Sequence, residues 1–142
     1  MPADFSFSDK NTQIGTVPEP IIAIPVLTKH GYQHFEFLVD SGADCTIVPL
    51  SFAEVLNLDI LRARIIPFRG IEGSPVITYI EKITLKLTKK PINVICAFSS
   101  NEQTPFILGR KDIFTKFNIF FDNKKKLIRF IPLSLDLIRI TK

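Results

Sequence analysis

Short apolar segments separated by turn-forming residues run along most of the chain. Ile21–Thr28 is apolar and rich in β-branched residues, and Lys29–Tyr32 is typical of a turn. In Phe35–Val39, aromatic and β-branched residues recur at every second position, which is the period of a β-strand. The pattern predicts a hairpin whose second strand ends at Asp40.

The same reasoning predicts strands through most of the remaining chain. They are expected at Thr46–Val48, Arg64–Phe68, Val76–Leu87, Ile92–Phe98, Phe106–Leu108, Asn118–Asp122 and Leu127–Pro132. Between the second and third of these, the glycine-bearing segment Arg69–Pro75 predicts a hairpin tip. The last two form a hairpin whose turn carries Lys124–Lys126.

Two short helices are expected between the strands. Ser51 and Glu54 stand three residues apart, the spacing of a capping box, in which each side chain satisfies a backbone N–H at a helix start. This predicts a helix of one or two turns ending at about Leu56. A second short helix is expected over Arg110–Phe117.

Many short strands at close spacing indicate a mostly β domain, barrel-like or sandwich-like, with one or two short helices. The length of 142 residues fits one domain. We divide the chain into an N-terminal arm (1–20), a central domain (21–132) and a C-terminal tail (133–142). Phe5 and Phe7 alternate with serines, so the arm can include a short docked strand. The apolar tail predicts either an interface between chains or a cover for another surface.

Composition narrows the class of protein. Hydrophobic residues make up 46% and charged residues 23%, so there is enough apolar surface for a folded core. Each apolar stretch is far shorter than the roughly 20 residues of a membrane span. Met1–Lys10 lacks the apolar run of a secretory signal, and only two cysteines occur, which together predict a cytoplasmic protein.

The net charge of +4 is mild, and the basic run Lys124–Lys126 lies in a predicted turn. The 13 Phe residues are scattered through apolar segments rather than interleaved with Arg. We therefore expect neither a nucleic-acid nor a membrane partner.

The sharpest chemical feature is the triplet Asp40-Ser41-Gly42. All three residue types favour turns, so an ordinary β-turn would account for the triplet alone. However, it directly follows an apolar strand and is itself followed by Ala43 and Asp44. Farther along, Phe106–Arg110 has the sequence Phe-Ile-Leu-Gly-Arg.

This combination resembles the retropepsins, the single-domain aspartic proteases of retroviruses and their cellular relatives. Their pattern is an apolar strand running into Asp-[Thr/Ser]-Gly-Ala-Asp, then a glycine-bearing flap hairpin, then two apolar residues and Gly-Arg opening a short helix. All three parts occur here in order, over roughly residues 21–132. The resemblance implies a mostly β, retropepsin-like half-barrel with a flap hairpin and one or two short helices, in a two-fold homodimer.

The resemblance also implies roles for individual residues. Asp40 would be the catalytic aspartate, and the Ser41 hydroxyl would hydrogen-bond across the dimer. Gly42 would let the substrate backbone approach closely. Asp44 and Arg110 would form a structural pair with bidentate geometry. The residues expected to contact substrate are Gly42, Ala43, Asp44, Gly70, Ile71, Glu72, Gly73 and Ile107.

One flap residue leaves two interpretations open. Glu72 places a charge between the two glycines of the flap tip. It either keeps an exposed tip soluble or shifts substrate preference toward basic residues.

Elementary chemistry leads to the same dimer. Peptide hydrolysis by carboxylates needs two of them, one accepting a proton from water and one donating to the carbonyl. The chain has one Asp-Ser-Gly, so the second aspartate must come from another chain related by a two-fold axis. The sequence therefore predicts a homodimeric aspartic endopeptidase acting on peptide or protein substrates. The alternative is a non-catalytic module on the same fold that binds a peptide or partner protein.

No cofactor or metal is expected. His30 and His34 have a spacing that would suit zinc on a helix, but they lie in a predicted hairpin, where that spacing has no such meaning. Water is the attacking group in the predicted chemistry, so Cys45 is not needed as a nucleophile. Cys45 and Cys96 are expected to be small buried core residues.

Overall fold

The computed structural model describes residues 1–69 and 75–134, and β-strands dominate that part of the chain. The strands are β1 (Ala3–Ser6), β2 (Ser8–Thr12), β3 (Gly15–Glu19), β4 (Ile21–Thr28), β5 (Gly31–Val39), β6 (Thr46–Pro49), β7 (Arg64–Arg69), β8 (Pro75–Lys86), β9 (Pro91–Ser99), β10 (Ile107–Leu108), β11 (Phe117–Asp122) and β12 (Leu127–Pro132). A single-turn helix, α1 (Phe52–Val55), and a 3₁₀ turn (Ile60–Arg62) follow β6. The predicted mostly β fold is confirmed.

The main sheet has seven strands in the order β4-β5-β10-β6-β9-β8-β7. It curls back on itself, because β4 also pairs with β8 where Val26 lies opposite Leu85. A second sheet, ordered β1-β12-β11, joins the two ends of the described chain. The β2–β3 hairpin forms a small sheet of its own.

The core lies inside the curled main sheet, because alternate residues of its strands point inward. In β4, Ile22, Ile24 and Val26 are fully buried while the residues between them are more exposed. Burying one such side chain contributes roughly 1.5–3 kcal/mol. The largest fully buried side chains of the core include Phe37, Phe98, Phe130, Leu85, Leu87, Leu108 and Ile113.

An aromatic cluster packs beneath the strands that lead to Asp40. Phe52 of α1 makes edge-to-face contacts with Phe35 and Phe106, each with ring centroids 4.8 Å apart. Phe37 contacts Phe106 in the same manner at 5.4 Å. The cluster ties β5 and α1 to the segment entering β10.

The predicted hairpin at the start of the domain is confirmed as β4 and β5, whose second strand ends at Val39. The other predicted strands are present, and each of their ends lies within one residue of the predicted position. The docked strand of the arm is also present: β1 pairs antiparallel with β12, and Phe7 is buried.

The predicted capping box is wrong. Ser51 has helical backbone angles (φ −60°, ψ −21°) and makes no side-chain cap. Its hydroxyl instead donates to Glu102 Oε1 (2.5 Å), and its N–H donates to Glu102 Oε2 (3.1 Å). A carboxylate from a distant loop therefore satisfies the start of α1.

The predicted helix over Arg110–Phe117 is also wrong. The segment forms hydrogen-bonded turns, in which Phe114 N–H donates to Arg110 O (2.9 Å) and Phe117 N–H donates to Ile113 O (3.1 Å). Asp112 has a left-handed conformation (φ 66°), which a right-handed helix does not allow. The turns lead directly into β11.

The arms of the predicted flap hairpin are β7 and β8, which pair up to Arg69 opposite Pro75. Its tip, Gly70–Gly73, and the tail residues 135–142 lie outside the described residues. Across residues 1–69 and 75–134, no helix has the length and apolarity that crossing a membrane requires. Cys45 and Cys96 are both buried and unbridged.

Candidate active site

Strand order brings two segments that are distant in sequence together at Asp40. Residues 40–45, the Asp40 loop, connect β5 to β6. Between these two strands lies β10, parallel to β5 with Leu108 opposite Val39, and antiparallel to β6 with Ile107 opposite Ile47. Because the Asp40 loop connects strands on either side of β10, it crosses over the residues that directly follow β10.

Asp40 is fixed on both sides at the end of β5. Its N–H donates to Leu108 O (3.0 Å), which extends the pairing of β5 with β10 by one residue. Its side-chain Oδ1 accepts the N–H of Gly42 (2.8 Å), and its carbonyl accepts the N–H of Ala43 (3.3 Å). The half-buried carboxylate thus has one oxygen oriented by the turn that it begins.

The crossing itself is held by backbone hydrogen bonds. Arg110 N–H donates to Ala43 O (3.0 Å), and Lys111 N–H donates to Asp44 O (2.9 Å). The buried hydroxyl of Thr46 accepts the N–H of Gly109 (3.3 Å). These bonds clamp the Asp40 loop onto residues 108–111, which we call the clamp segment.

Glycine is required where the two backbones touch. A Cβ on Gly109 would overlap the carbonyl group and Cα of Cys45. These are backbone atoms, which a side-chain rotation cannot move away. The residue after β10 is therefore a glycine for a steric reason.

Arg110 connects the two ends of the Asp40 loop. One terminal nitrogen donates to Ser41 O (2.5 Å) and the other to Asp44 Oδ1 (2.6 Å). Arg110 and Asp44 thus form an ion pair, but its geometry is not bidentate as expected, because the guanidinium divides its donors between a carboxylate and a carbonyl. Both side chains are substantially exposed, 46% for Arg110 and 85% for Asp44, so solvent weakens the ion pair.

The structure places the other predicted residues as follows. Ser41 and Gly42 are exposed at the turn, and Ala43 is half-buried behind them. Ile107 is half-buried in β10, between Leu38 and Ile47 of the neighbouring strands. The Asp40-Ser41-Gly42 triplet, Ala43, Asp44 and Arg110 thus form one structural unit, with Ile107 in the adjoining strand. The flap-tip residues lie outside the described residues.

Electrostatics keep the neighbouring thiols neutral. Burial, and secondarily the charge of Asp44, raises the pKa of Cys45. Burial also raises the pKa of Cys96 well above its ordinary value. Because the thiolate is the reactive form, neither side chain is suited to nucleophilic chemistry at neutral pH.

Two residues that position this site escaped the sequence analysis. Thr46 holds Gly109, and Asp112 Oδ2 accepts the N–H of Ile95 (2.9 Å), which ties the turn after the clamp segment to β9. The only available signal for Thr46 was a hydroxyl residue in an otherwise apolar strand. For Asp112 it was an Asp two residues after the Gly-Arg pair.

Within the described part of the chain, no three His, Cys, Asp or Glu side chains gather where they could hold a metal ion. His30 and His34 are both exposed on the β4–β5 hairpin, and His34 lies opposite Pro25.

Comparison with known proteins shows what the fold resembles. No protein-family model and no curated protein matches the sequence. Among solved structures, a retropepsin-like aspartic protease from Rickettsia conorii matches with a TM-score of 0.61 and 14% identity, over 92% of this chain and 89% of that one. EIAV protease complexed with the inhibitor HBY-793 matches with a TM-score of 0.50 and 21% identity, over 65% of this chain and 82% of that one. The chain therefore has a mostly β, retropepsin-like fold.

Proposed function

We propose that this protein is an aspartic endopeptidase that acts as a two-fold homodimer, with Asp40 of each chain at the axis. The observation that carries the proposal is the fixed position of Asp40, held by Leu108 on the backbone side and by Gly42 at the carboxylate. The solved structures of the same fold are proteases by description, and one of them holds an inhibitor, which supports the proposal.

The chemistry requires a second carboxylate beside Asp40. Asp44 does not fill this role, because its carboxylate contacts Arg110 and is 85% exposed. A second copy of the chain supplies the same Asp-Ser-Gly triplet by symmetry. Two adjacent carboxylates cannot both ionise easily, so the pair shares one proton, as in aspartic proteases generally.

In the reaction, the ionised carboxylate accepts a proton from a water molecule as that water attacks the peptide carbonyl. The protonated carboxylate donates its proton to the carbonyl oxygen. No covalent enzyme intermediate forms, so Cys45 takes no part. Ser41 stabilises the pairing of the two Asp40 loops.

The substrate binds as an extended strand. Gly42 presents its backbone at the exposed turn, where Ala43, Asp44 and Ile107 complete the floor of the cleft. The β7–β8 hairpin covers the peptide. Backbone hydrogen bonds hold such a peptide as they hold an added strand. Apolar side chains are preferred next to the cut.

The test is cleavage of a diverse peptide pool between mildly acidic and neutral pH, read by mass spectrometry, with and without a statine-type transition-state inhibitor. Asp40→Asn keeps an oxygen that can accept the Gly42 N–H, so the loop and the dimer should persist while cleavage falls by about 10³-fold or more. Asp9→Asn is the matched control, since Asp9 lies in the β2–β3 hairpin, and it should cleave normally.

Retained turnover in purified Asp40→Asn would refute the assignment. A stable dimer that cuts nothing in the pool would instead favour the non-catalytic binding module.

A further inference from the structure

The connection between α1 and β7, residues 56–63, carries the most exposed large apolar side chain of the described residues. Leu61 is 92% exposed. It follows Ile60, which is half-buried and packs against the core. The regular structure here is the 3₁₀ turn Ile60–Arg62, so two adjacent apolar residues lie in a short surface turn.

The contacts that hold this turn are local. Leu61 N–H donates to Asp59 Oδ1 (3.2 Å), and Ala63 N–H donates to Ile60 O (3.1 Å). Arg62 and Asp59 form an ion pair (3.7 Å) whose side chains are 90% and 64% exposed, so the pair adds little stability. Because these contacts all lie within the connection, the turn can open while the strands on either side of it stay paired.

Other exposed connections in the described part of the chain lack this combination. Ile14, at the tip of the β2–β3 hairpin, is 90% exposed, but a glutamine and a glycine flank it. Ile113 and Phe114 are adjacent in the turns before β11, but Ile113 is fully buried. The turns at residues 29–30 and 123–126 contain no apolar residue. The α1–β7 connection therefore differs from these in presenting an exposed apolar residue directly after another apolar residue.

We propose that the Ile60–Leu61 peptide bond is cut by a second copy of this protein, an inference that rests on the proposed function. The cleft takes an extended segment with apolar side chains next to the cut, and the opened connection offers one on each side of a single bond. Hydrolysis adds one water across the C–N bond, which leaves a carboxylate on Ile60 and an amino group on Leu61. The cutting molecule is a different one, because both ends of the connection stay fixed in α1 and β7 of their own chain.

The cut chain stays assembled, because strands from both pieces alternate in the main sheet. Strands β4, β5 and β6 belong to residues 1–60, and strands β7 to β10 belong to residues 61–142. In the sheet, β10 of the second piece lies between β5 and β6 of the first. The two pieces therefore separate only under denaturing conditions, and β7, one arm of the β7–β8 hairpin, loses its covalent link to α1.

The first test is incubation of the purified protein alone, followed by mass spectrometry under denaturing conditions. Pieces 1–60 and 61–142 should accumulate, and the statine-type inhibitor should prevent this. Asp40→Asn should stay intact alone but be cut at the same bond when the unmodified protein is added, which shows that one molecule cuts another.

A pair of substitutions at equally exposed positions tests the site itself. Leu61→Lys should slow the appearance of the pieces by about tenfold or more, because an apolar pocket beside the cut loses its occupant. Ile14→Lys is the matched control, since it removes an apolar side chain of the same exposure from the β2–β3 turn. It should leave the rate unchanged.

Two further measurements separate access to the bond from recognition of its sequence. A synthetic peptide of residues 56–65 should be cut by the unmodified protein at the Ile60–Leu61 bond. Subtilisin at low dose, which does not depend on this protein's own activity, should first nick Asp40→Asn within residues 56–63, because exposed turns that open locally are cut before paired strands.

Protein that cleaves the peptide pool but never yields piece 1–60 would overturn this inference and leave the proposed function standing. So would self-cleavage at a different bond, equal rates for Leu61→Lys and the unmodified protein, or cutting of the 56–65 peptide with the folded chain left intact. Pieces that form equally fast in Asp40→Asn alone would point to another protease and also overturn it. A dimer that is nicked by subtilisin as expected but cuts neither the pool nor itself would instead refute the proposed function, and the self-cleavage with it.

Discussion

The Asp40 loop and the β2–β3 hairpin are both exposed connections rich in small polar residues, yet they are held in different ways. The tip of the hairpin is held by its own neighbours: Thr12 Oγ1 donates to Gly15 O (2.7 Å) and accepts the N–H of Ile14 (3.2 Å). The Asp40 loop is held by the clamp segment, far away in sequence. One connection is local, and the other exists only when the whole sheet is assembled.

This difference in contacts predicts that the Asp40 loop is more rigid than the tip of the β2–β3 hairpin. The hairpin tip, which is held by local contacts, can open without disturbing the rest of the fold, at a low free-energy cost. The Asp40 loop cannot open unless β10 leaves its place between β5 and β6. The position of Asp40 is therefore coupled to global stability, which suits the role we propose for it, since that role requires alignment with a second Asp40.

The largest effect is expected from Gly109→Ala. The added methyl would overlap the Cys45 backbone, so the clamp segment and the Asp40 loop must separate. We expect a loss of about 3 kcal/mol or more in the free energy of unfolding, measured by urea denaturation, since backbone cannot relax as a side chain does. Gly15→Ala is the matched hairpin variant.

A Cβ on Gly15 meets open space, but its φ of +110° is strained for any other residue. The expected cost there is about 1–2 kcal/mol. Equal costs for the two variants would contradict the contrast between a clamped loop and a local hairpin.

An intermediate effect is expected from Arg110→Ala. It removes the donors to both Ser41 O and Asp44 Oδ1, so the loop loses its side-chain link while the backbone bonds of the clamp segment remain. We expect a loss of about 1–2 kcal/mol by urea denaturation. Asp44→Asn keeps the contact to Ser41 and should cost at most about 0.5 kcal/mol, because the ion pair is exposed.

If Asp44→Asn instead cost as much as Arg110→Ala, the ion pair rather than the carbonyl contact would be what holds the loop. Slower hydrogen exchange at the Gly42 amide in either variant than in the unmodified protein would likewise contradict a role for Arg110 in ordering this turn.

Sequence reasoning succeeded where the determining contacts are local. The period-two pattern of β4 and β5 reflects which residues face the core, so it could be recognised without the fold. The Asp-Ser-Gly triplet and the later Gly-Arg pair were recognised together, and the structure shows that they are in contact. Neither segment alone indicates that the two lie in contact. Their joint resemblance to a known family pattern supplied that information.

Sequence reasoning failed where a hydrogen-bond partner distant in sequence replaced the local partner that the spacing predicted. Ser51 and Glu54 have the right spacing for a capping box, but Glu102 occupies both donors of Ser51. The sequence after Arg110 predicted a helix. Asp112, however, adopts a left-handed conformation, and its carboxylate accepts a hydrogen bond from β9. The sequence of either short segment does not indicate its distant hydrogen-bond partner.

The smallest effect on stability is expected in β1, the strand that precedes the β2–β3 hairpin. Arg129 donates two hydrogen bonds to Asp4, linking β1 to β12, and these bonds lower the pKa of Asp4 from its ordinary 3.8. Because the pKa is lower in the folded state, the pair stabilises the protein above pH 3.8, and this contribution is lost as the pH falls through the folded pKa. In urea denaturation between pH 7 and pH 2.5, the unmodified protein should be slightly more stable than Asp4→Asn at neutral pH, and the two should converge in acid. A difference that persists unchanged at pH 2.5 would show that the Asp4 charge does not anchor β1, and that its backbone pairing with β12 holds this strand instead.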